Sequence, residues 1–589
     1  MIRIKDHKTG YIFDPWWYLG PKRRRLLEQS WAGLFRRLVL EELPVSVLAA
    51  RYRADFGRPS KELYTLVGAV LLQQAFDLSD AATVEELAFN EQWHYALDIT
   101  AEDDESKYLC AKTLWTVRSR CAEDGLDAAA FAAVTAKLAG IFGVAVRAQR
   151  LDSVHVRSNM RRLSRLALFV AVMRQFLVNL RRHHPARFAG LPAGLTDRYT
   201  KKTELSAFGL VKPSEAAGKL AEAARDLAQL VSAFADAPAV NSMTSFKKLG
   251  RVLAEQCAVE ADAVAVKPAA AVPAASLQNP SDPEAGYSAH KGQGYQAQVM
   301  ETYAAVANEK EKEKEQRLNL ITYVEVESAA AADAKAVVPA LAAVAERGLS
   351  PAEVVADSQY GGDDNCEAAR AMGVEVVAPV MGGGRLAEGG LRLSDFEWSD
   401  ELTVARCPGG HAPLEIKPQA RRLSAAFDGR ACEVCPLSAR CPARGQGGRR
   451  RYLRYNGAEV RISQRRAAQE TPGFKERYRW RAGVEATMSQ LDRRTGLKRL
   501  RVRGHPAVRF AVTMKVLAVN IFRATRARSA RQAAGTWIES AVYFVLGLHF
   551  HFKTFGPRLR GTRPKNFQFF APPARLRQNG AGCQLRTAA

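Results

Sequence analysis

From Gly292 the chain stops reading as helix and begins to alternate. Residues 294–302 (GYQAQVMET) and 319–327 (NLITYVEVE) carry the two-residue period of extended chain, which gives a strand one buried and one open side. A helical stretch, 330–345, leads to the short apolar run 353–357 (EVVAD), followed by a second helix at 366–372 and a buried strand at 374–380. Far upstream, 144–156 (VAVRAQRLDSVHV) reads as another strand, ending near Asp152 and leaving that carboxylate at its exposed end. The order is strand, helical insertion, two strands, helix, strand, helix, strand, insertion, helix. Such an order predicts an α/β fold, a mixed sheet layered with helices.

At 589 residues the chain is too long for one ordinary core, so several domains are expected. Residues 1–140 read as a helical N-terminal domain: Leu63, Leu66, Val67, Val70 and Leu71 follow the Gly57-Arg58-Pro59-Ser60 break, and Ser79 can cap a helix over 80–90. A further helix carries Leu114, Val117 and Cys121 with Lys112, Arg118 and Arg120 on its polar side, a pattern that packing alone explains and that also suits a DNA-binding unit. The first strand of the sheet falls in 141–157, and 158–275 is a helical insertion and linker with long helices at 160–182, 215–234 and 246–256. The Ala-, Val- and Pro-rich 258–283 reads as a linker or arm, 276–382 as the rest of the sheet core, and 309–315, alternating Glu and Lys, as a solvated tip.

Residues 471–530 hold a helix at 474–503 and a following one at 505–523 that should cover the sheet. Trp480, Val484, Met488 and Leu491 form the buried stripe of the first, with Tyr478, Arg481 and Glu485 beside it. Arg481 and Glu485 also stand at the spacing of an ordinary surface ion pair. Behind them Gly496 can close the helix, and 493–503 packs in six cations: Arg493, Arg494, Lys498, Arg499, Arg501 and Arg503.

A balance of 86 Lys+Arg against 61 Asp+Glu, net +25, points to a polyanionic partner, nucleic acid before membrane. The start (MIRIKDH) lacks the apolar region of a secretory leader, and the longest apolar stretches, 166–173 and 541–548, fall short of the roughly 20 residues a membrane span needs. A cytoplasmic, nucleoid-associated protein is expected. Four of the nine cysteines, Cys407, Cys432, Cys435 and Cys441, crowd into the Gly- and Pro-rich 383–470 as C-x24-C-x2-C-x5-C, a set that suits tetrahedral Zn²⁺ and would draw the segment's fold from the metal; His411 is an alternative ligand to Cys407. The arginine run 444–454 invites phosphate contact or is a solvated basic loop. The tail, 531–589, mixes aromatic and apolar residues at 537–552 with arginines and has no acidic residue after Glu539; a nucleic-acid surface, a dimer contact and a frameshifted end are all open.

Asp152 and Asp357 each close a predicted strand, and Glu485 sits on the later helix that should pack on the same sheet. Three converging carboxylates repel unless divalent cations neutralise them, and oxygen ligands suit Mg²⁺ or Mn²⁺. Two such ions about 3.5 to 4 Å apart activate water or a 3′-hydroxyl against a phosphodiester. Asp363, Asp364 and Glu367 fit better as the first turn of a helix.

The order of elements, the motifs Leu151-Asp152-Ser153 and Ala356-Asp357-Ser358-Gln359-Tyr360-Gly361, and Tyr478-x2-Arg481-x3-Glu485 resemble the Asp-Asp-Glu (DDE) transposases of bacterial insertion sequences. Gly57-Arg58-Pro59, Leu78-Ser79-Asp80, Asp282-Pro283-Glu284-Ala285, Lys291-Gly292-x-Gly294-Tyr295 and the cysteine insertion are similar to the branch called insertion-sequence eleven-eighty-two. The resemblance covers almost the whole chain, most weakly 215–273 and the end after 531. It implies a ribonuclease H-like catalytic domain, Asp152, Asp357 and Glu485 as catalytic ligands of two Mg²⁺ or Mn²⁺ ions, and Tyr478 and Arg481 in support. It further implies double-stranded DNA as partner, at element ends and target, and a homodimer on paired ends. Related elements often place Lys seven positions after the Glu; here Asp492 stands there, and Arg493 or Arg494 would take over its DNA contact. The expected function is a DNA transposase that cuts element ends and joins them to target DNA. The alternatives are a nuclease without strand transfer and a domesticated, catalytically idle DNA-binding protein.

Overall fold

The strands β1 (Ala148–Val156), β2 (Gly286–Ser288), β3 (Gly292–Thr302), β4 (Ile321–Ser328), β5 (Glu353–Ala356) and β6 (Glu375–Val377) form one mixed sheet around β1. Antiparallel β3 flanks β1 on one side and parallel β5 on the other; β6 extends the parallel half, while β2 and β4 pair with β3. The computed structural model describes residues 2–535 apart from 8, 10, 54, 58, 261–262, 307, 309, 383–388 and 446–448, with backbone alone at 205–207. Residues up to Ala534 form one compact unit. The expectation for 531–589 lies, beyond Gly535, outside the described residues.

Paired residues share a face of a sheet and neighbours along a strand do not. Arg150, Asp152 and Val154 therefore lie on one face with Glu301, Val299 and Ala297, and Gln149, Leu151 and Ser153 on the other with Thr302, Met300 and Gln298. Asp152 is thus not at a strand end, as its sequence context suggests: β1 runs four residues past it to Val156, because β3 continues to pair with it there.

The helices follow the apolar periodicity closely. In the N-terminal part are α1 (Leu63–Ala75), α2 (Asp80–Phe89), α3 (Ala111–Glu123) and α4 (Leu126–Phe142), and the Ser79 side chain does cap α2, accepting from the Ala82 amide. The insertion holds α5 (Arg165–His183), α6 (Pro213–Phe234) and α7 (Thr244–Gln256) around its own apolar core, with Phe169, Phe176, Leu177, Leu227 and Leu249 fully buried. Helix α5 begins five residues later than the apolar stripe suggests, where the Ser164 hydroxyl accepts from the Ala167 amide. The segment 258–283 is not a loose arm: it starts as a hairpin, Cys257–Glu260 against Ala263–Val266, and ends with Leu277 and Asp282 fully buried. Asp282 accepts from Ser158, Tyr295 and the Gly504 amide, which ties the segment into the sheet core.

Helix α8 (Val337–Ala345) leads from β4 into β5, and α9 (Asp363–Ala371) joins β5 to its parallel neighbour β6, the crossover geometry such strands require. The 383–470 insertion contains β7 (Glu415–Gln419), β8 (Arg422–Asp428) and β9 (Arg450–Tyr455), an antiparallel sheet, followed by α10 (Gly457–Gln469). Against expectation the insertion has an apolar core of its own, with Phe396, Val404, Phe427, Leu453, Tyr455 and Val460 buried. The latter part of the expected basic loop, 450–454, is strand β9, because Leu453 and Tyr455 face that core.

The 474–503 helix is broken. Helix α11 (Pro472–Tyr478) passes through a 3₁₀ turn, Arg479–Ala482, into α12 (Gly483–Thr495), which closes at Gly496 in the left-handed conformation (φ 63°). Val484 and Leu491 are buried as the stripe requires, while Trp480 sits in the turn and is only half-buried. The last described helix, α13 (His505–Ala533), runs ten residues beyond expectation and packs on α1, α4 and β4. No single described helix is long and apolar enough to cross a membrane.

Candidate active site

Parallel pairing places Leu151 opposite Ala356, so the next residues along the two strands, Asp152 and Asp357, are brought side by side by register alone. Glu485 arrives from the first turn of α12, where the positive end of the helix favours a carboxylate. Arg481, in the preceding 3₁₀ turn, reaches all three. Its Nη2 lies 3.1 Å from Asp152 Oδ2 and 4.0 Å from Asp357 Oδ2, and its Nη1 3.8 Å from Glu485 Oε1. The i,i+4 surface pair of Arg481 and Glu485 is present, and the same guanidinium also reaches the aspartates of both strands.

The carboxylates differ in environment. The Asp152 side chain is 15% exposed, Asp357 27% and Glu485 75%, so the site deepens from helix to strand. Burial pushes the Asp152 carboxyl above its ordinary range and the charge of Asp357 adds to this, while the Ser153 amide and Arg481 counter only part. Asp357 accepts from the Gln359 amide at 2.8 Å, which orients it at the mouth of the loop after β5. Tyr478 stacks on Phe474 with centroids 5.6 Å apart and packs against Val355 and Val377, supporting the turn that carries Arg481. Asp363 opens α9 and is bound by Arg461 and Arg465, so it serves to dock α10 and not the carboxylate group.

The remaining expected DNA contacts separate into two sets. Arg493 and Arg494 are exposed and line a cleft of about 1180 Å³ on another side of α12, along with Arg479, Trp480, Arg523 and Arg526. Lys498, Arg499, Arg501 and Arg503 are exposed after the helix; Arg501 contacts Asp77, and Arg499 bridges to Arg157 beside β1. Asp492, where related elements often carry Lys, closes the turn after α12, its side chain accepting from the Lys498 amide and its carbonyl from the Gly496 amide.

Cys407, Cys432, Cys435 and Cys441 line one small pocket together with His411. The loop there is tight, for a Cβ on Gly409 would stand 3.2 Å from Cys435 Sγ and 3.7 Å from Cys407 Sγ. Among the described residues no group of three or more His, Cys, Asp or Glu side chains is drawn into a metal-holding arrangement. In donor chemistry both groups fit: three carboxylates suit a hard divalent cation, already have one cation among them in Arg481, and the thiols suit a soft one.

Sequence reasoning missed Arg150, Glu301, Thr487 and Arg523, which meet in a cluster on the wall of the cleft that Arg493 and Arg494 line. The available signal was Arg150 itself, a charge two residues before Asp152 and so on the same buried face of the strand.

Residues 406–525 match the family described as a transposase DDE domain, and residues 26–120 match the family described as a transposase domain, DUF772. The first match contains Tyr478, Arg481 and Glu485 and the four clustered cysteines; Asp152 and Asp357 lie outside both. No curated protein and no solved structure matches the chain. The two matches support a DNA transposase of the DDE type, a class of polynucleotidyl transferase whose substrate is DNA.

Proposed function

We propose that the protein is the transposase of a bacterial insertion sequence, cutting DNA at the element's ends and joining the freed 3′-hydroxyl to target DNA, with Asp152, Asp357 and Glu485 as its catalytic carboxylates. The observation that carries this reading is the convergence of three acidic side chains, from two strands and a helix remote in sequence, on one guanidinium. With Mg²⁺ or Mn²⁺ bound, the site would supply an activated oxygen nucleophile and a charge-stabilised leaving oxygen. The protein's own side chains do the rest. Asp152 and Asp357 hold fixed positions on adjacent strands, Glu485 closes the site from the exposed side, and Arg481 balances their charge and is placed to meet phosphate. The sheet order is compatible with a ribonuclease H-like core, and the motifs carry the eleven-eighty-two assignment. A homodimer on paired ends, action at the nucleoid and a structural Zn²⁺ at the four cysteines complete the proposal.

The test is cleavage and joining of DNA that carries the element's ends, in Mg²⁺. Alanine at Asp357 should lower strand cleavage by about three orders of magnitude or more while leaving DNA affinity intact, and alanine at Asp152 or Glu485 should do the same. Cleavage retained in the Asp357 variant removes that residue from the site. Cleavage without joining by the unaltered protein makes it a nuclease.

A further inference from the structure

A second charged cluster, lining the same cleft as Arg493 and Arg494, touches none of the three carboxylates. Glu301, near the end of β3, is fully buried. Its Oε1 accepts from Arg150 Nε at 2.7 Å, its Oε2 from Arg523 Nη1 at 2.7 Å, and Thr487 Oγ1 stands 2.7 Å from both oxygens. Arg523 Nη2 donates to the same Thr487 hydroxyl at 2.7 Å, and Arg150 Nη1 donates to the Trp480 carbonyl at 2.9 Å. Burial alone would raise the Glu301 carboxyl, but the Arg523 and Arg150 guanidiniums outweigh it and hold the group ionised.

The positions of these partners give the cluster its meaning. Arg150 precedes Asp152 by two residues on the same face of β1, and Thr487 follows Glu485 by two residues on α12. One carboxylate therefore binds the strand of the first catalytic residue and the helix of the third, and through Arg150 it also holds the turn that carries Arg481. Gly483, the first residue of α12, fits the same account: a Cβ there would overlap the Arg150 guanidinium. An arginine free in solvent would swing aside, but this one is pinned by Glu301 and the Trp480 carbonyl.

We infer that Glu301 is a positioning residue that sets the separation of Asp152 and Glu485, and so governs how tightly the site takes its divalent ions. The inference rests on the reading of Asp152, Asp357 and Glu485 as ion ligands. Groups bonded directly to metal ligands commonly alter affinity by about 10- to 100-fold when changed, and Glu301 acts one step further back, through the strand and helix that carry the ligands.

The experiment is Mn²⁺ titration of the full-length protein without DNA, followed by electron paramagnetic resonance, alongside thermal unfolding and duplex binding. Glu301→Gln keeps the shape and removes the charge; it should raise the half-saturating Mn²⁺ concentration by up to about 10-fold, the lower end of what loss of a directly bonded partner does, with DNA affinity unchanged. Gly483→Ala should do the same and lower Tm, although alanine is the better helix former, because it displaces Arg150. Asp152→Asn, Asp357→Asn and Glu485→Gln should each weaken Mn²⁺ binding more than either. If Glu301→Gln and Gly483→Ala lower Tm but titrate as the unaltered protein does, the cluster is only structural and the inference falls. If the three carboxylate variants also titrate unchanged, the ion-site reading beneath it falls as well.

Discussion

A buried carboxylate is tolerable only where the fold surrounds it with cations or donors, and three such residues show what that does. Asp152 has one guanidinium and a neighbouring carboxylate, and its ionised form is disfavoured. Glu301 has two guanidiniums and a hydroxyl and remains ionised. Asp98, in the N-terminal part, is the most strongly held: burial opposes ionisation, yet His7 and Tyr11 bond it and Arg36 and Lys5 stand against it, carrying its carboxyl well below the ordinary 3.8. A depressed folded value means stability that is complete above pH 3.8 and lost as pH falls below it. Asp98→Asn should therefore cost about 3 kcal/mol at pH 7, and the difference from the unaltered protein should shrink below about pH 4 in urea unfolding followed across pH. The proposed site residues Asp152, Asp357 and Glu485 stand out in the sequence because each sits in a recognisable local pattern. Glu301 lies in Met300-Glu301-Thr302, which has no such pattern, and acquires its role only from Arg150, Thr487 and Arg523, each remote from it along the chain.

Among the elements, β1 and α13 each join parts of the molecule that are otherwise separate. Strand β1 joins the parallel to the antiparallel half of the sheet, and α13 lies across β4 and the N-terminal helices. One side chain makes the second junction specific: Asn520, fully buried, accepts from the Ile321 amide at 2.9 Å and donates to its carbonyl at 2.8 Å, pairing the strand as another strand would. Asn520→Ala leaves both backbone groups buried without partners, and should destabilise the protein by about 2 to 4 kcal/mol in urea unfolding and speed exchange of the Ile321 amide. Strand positions and most helix cores were readable from periodicity. The break at Arg479–Ala482 was not, since no proline or glycine marks its start; the bond from Arg150 to the Trp480 carbonyl secures it.

At the scale of the whole molecule, separate apolar cores serve the helical insertion and the cysteine segment, while the N-terminal helices pack on α13. The cysteine segment is moored to the loop after Asp357 by α10, through Arg461 on Asp363 and Arg465 on the Gly361 carbonyl. Because Phe427, Leu453 and Tyr455 give it a core, metal there would secure the cysteine loops and not create the sheet. Elemental analysis should find one zinc per chain, reduced by Cys432→Ser. Chelation should loosen amide exchange around Cys407 and Cys432 while β8 and β9 stay protected. A protein purified without zinc, with the same exchange pattern, would count against the metal.

The sequence by itself determined the α/β class, the order of strands and helices, and the identity of three acidic residues on or beside elements of one sheet, because periodicity and motif are local properties of the chain. Tertiary structure alone decided that β1 continues past Asp152, that Arg481 meets three carboxylates instead of one, and that Glu301 links the strand and helix of the site. Those outcomes depend on strand register and on which face of the sheet each helix covers, and both are settled by contacts between residues up to 330 positions apart, as between Arg150 and the Trp480 carbonyl.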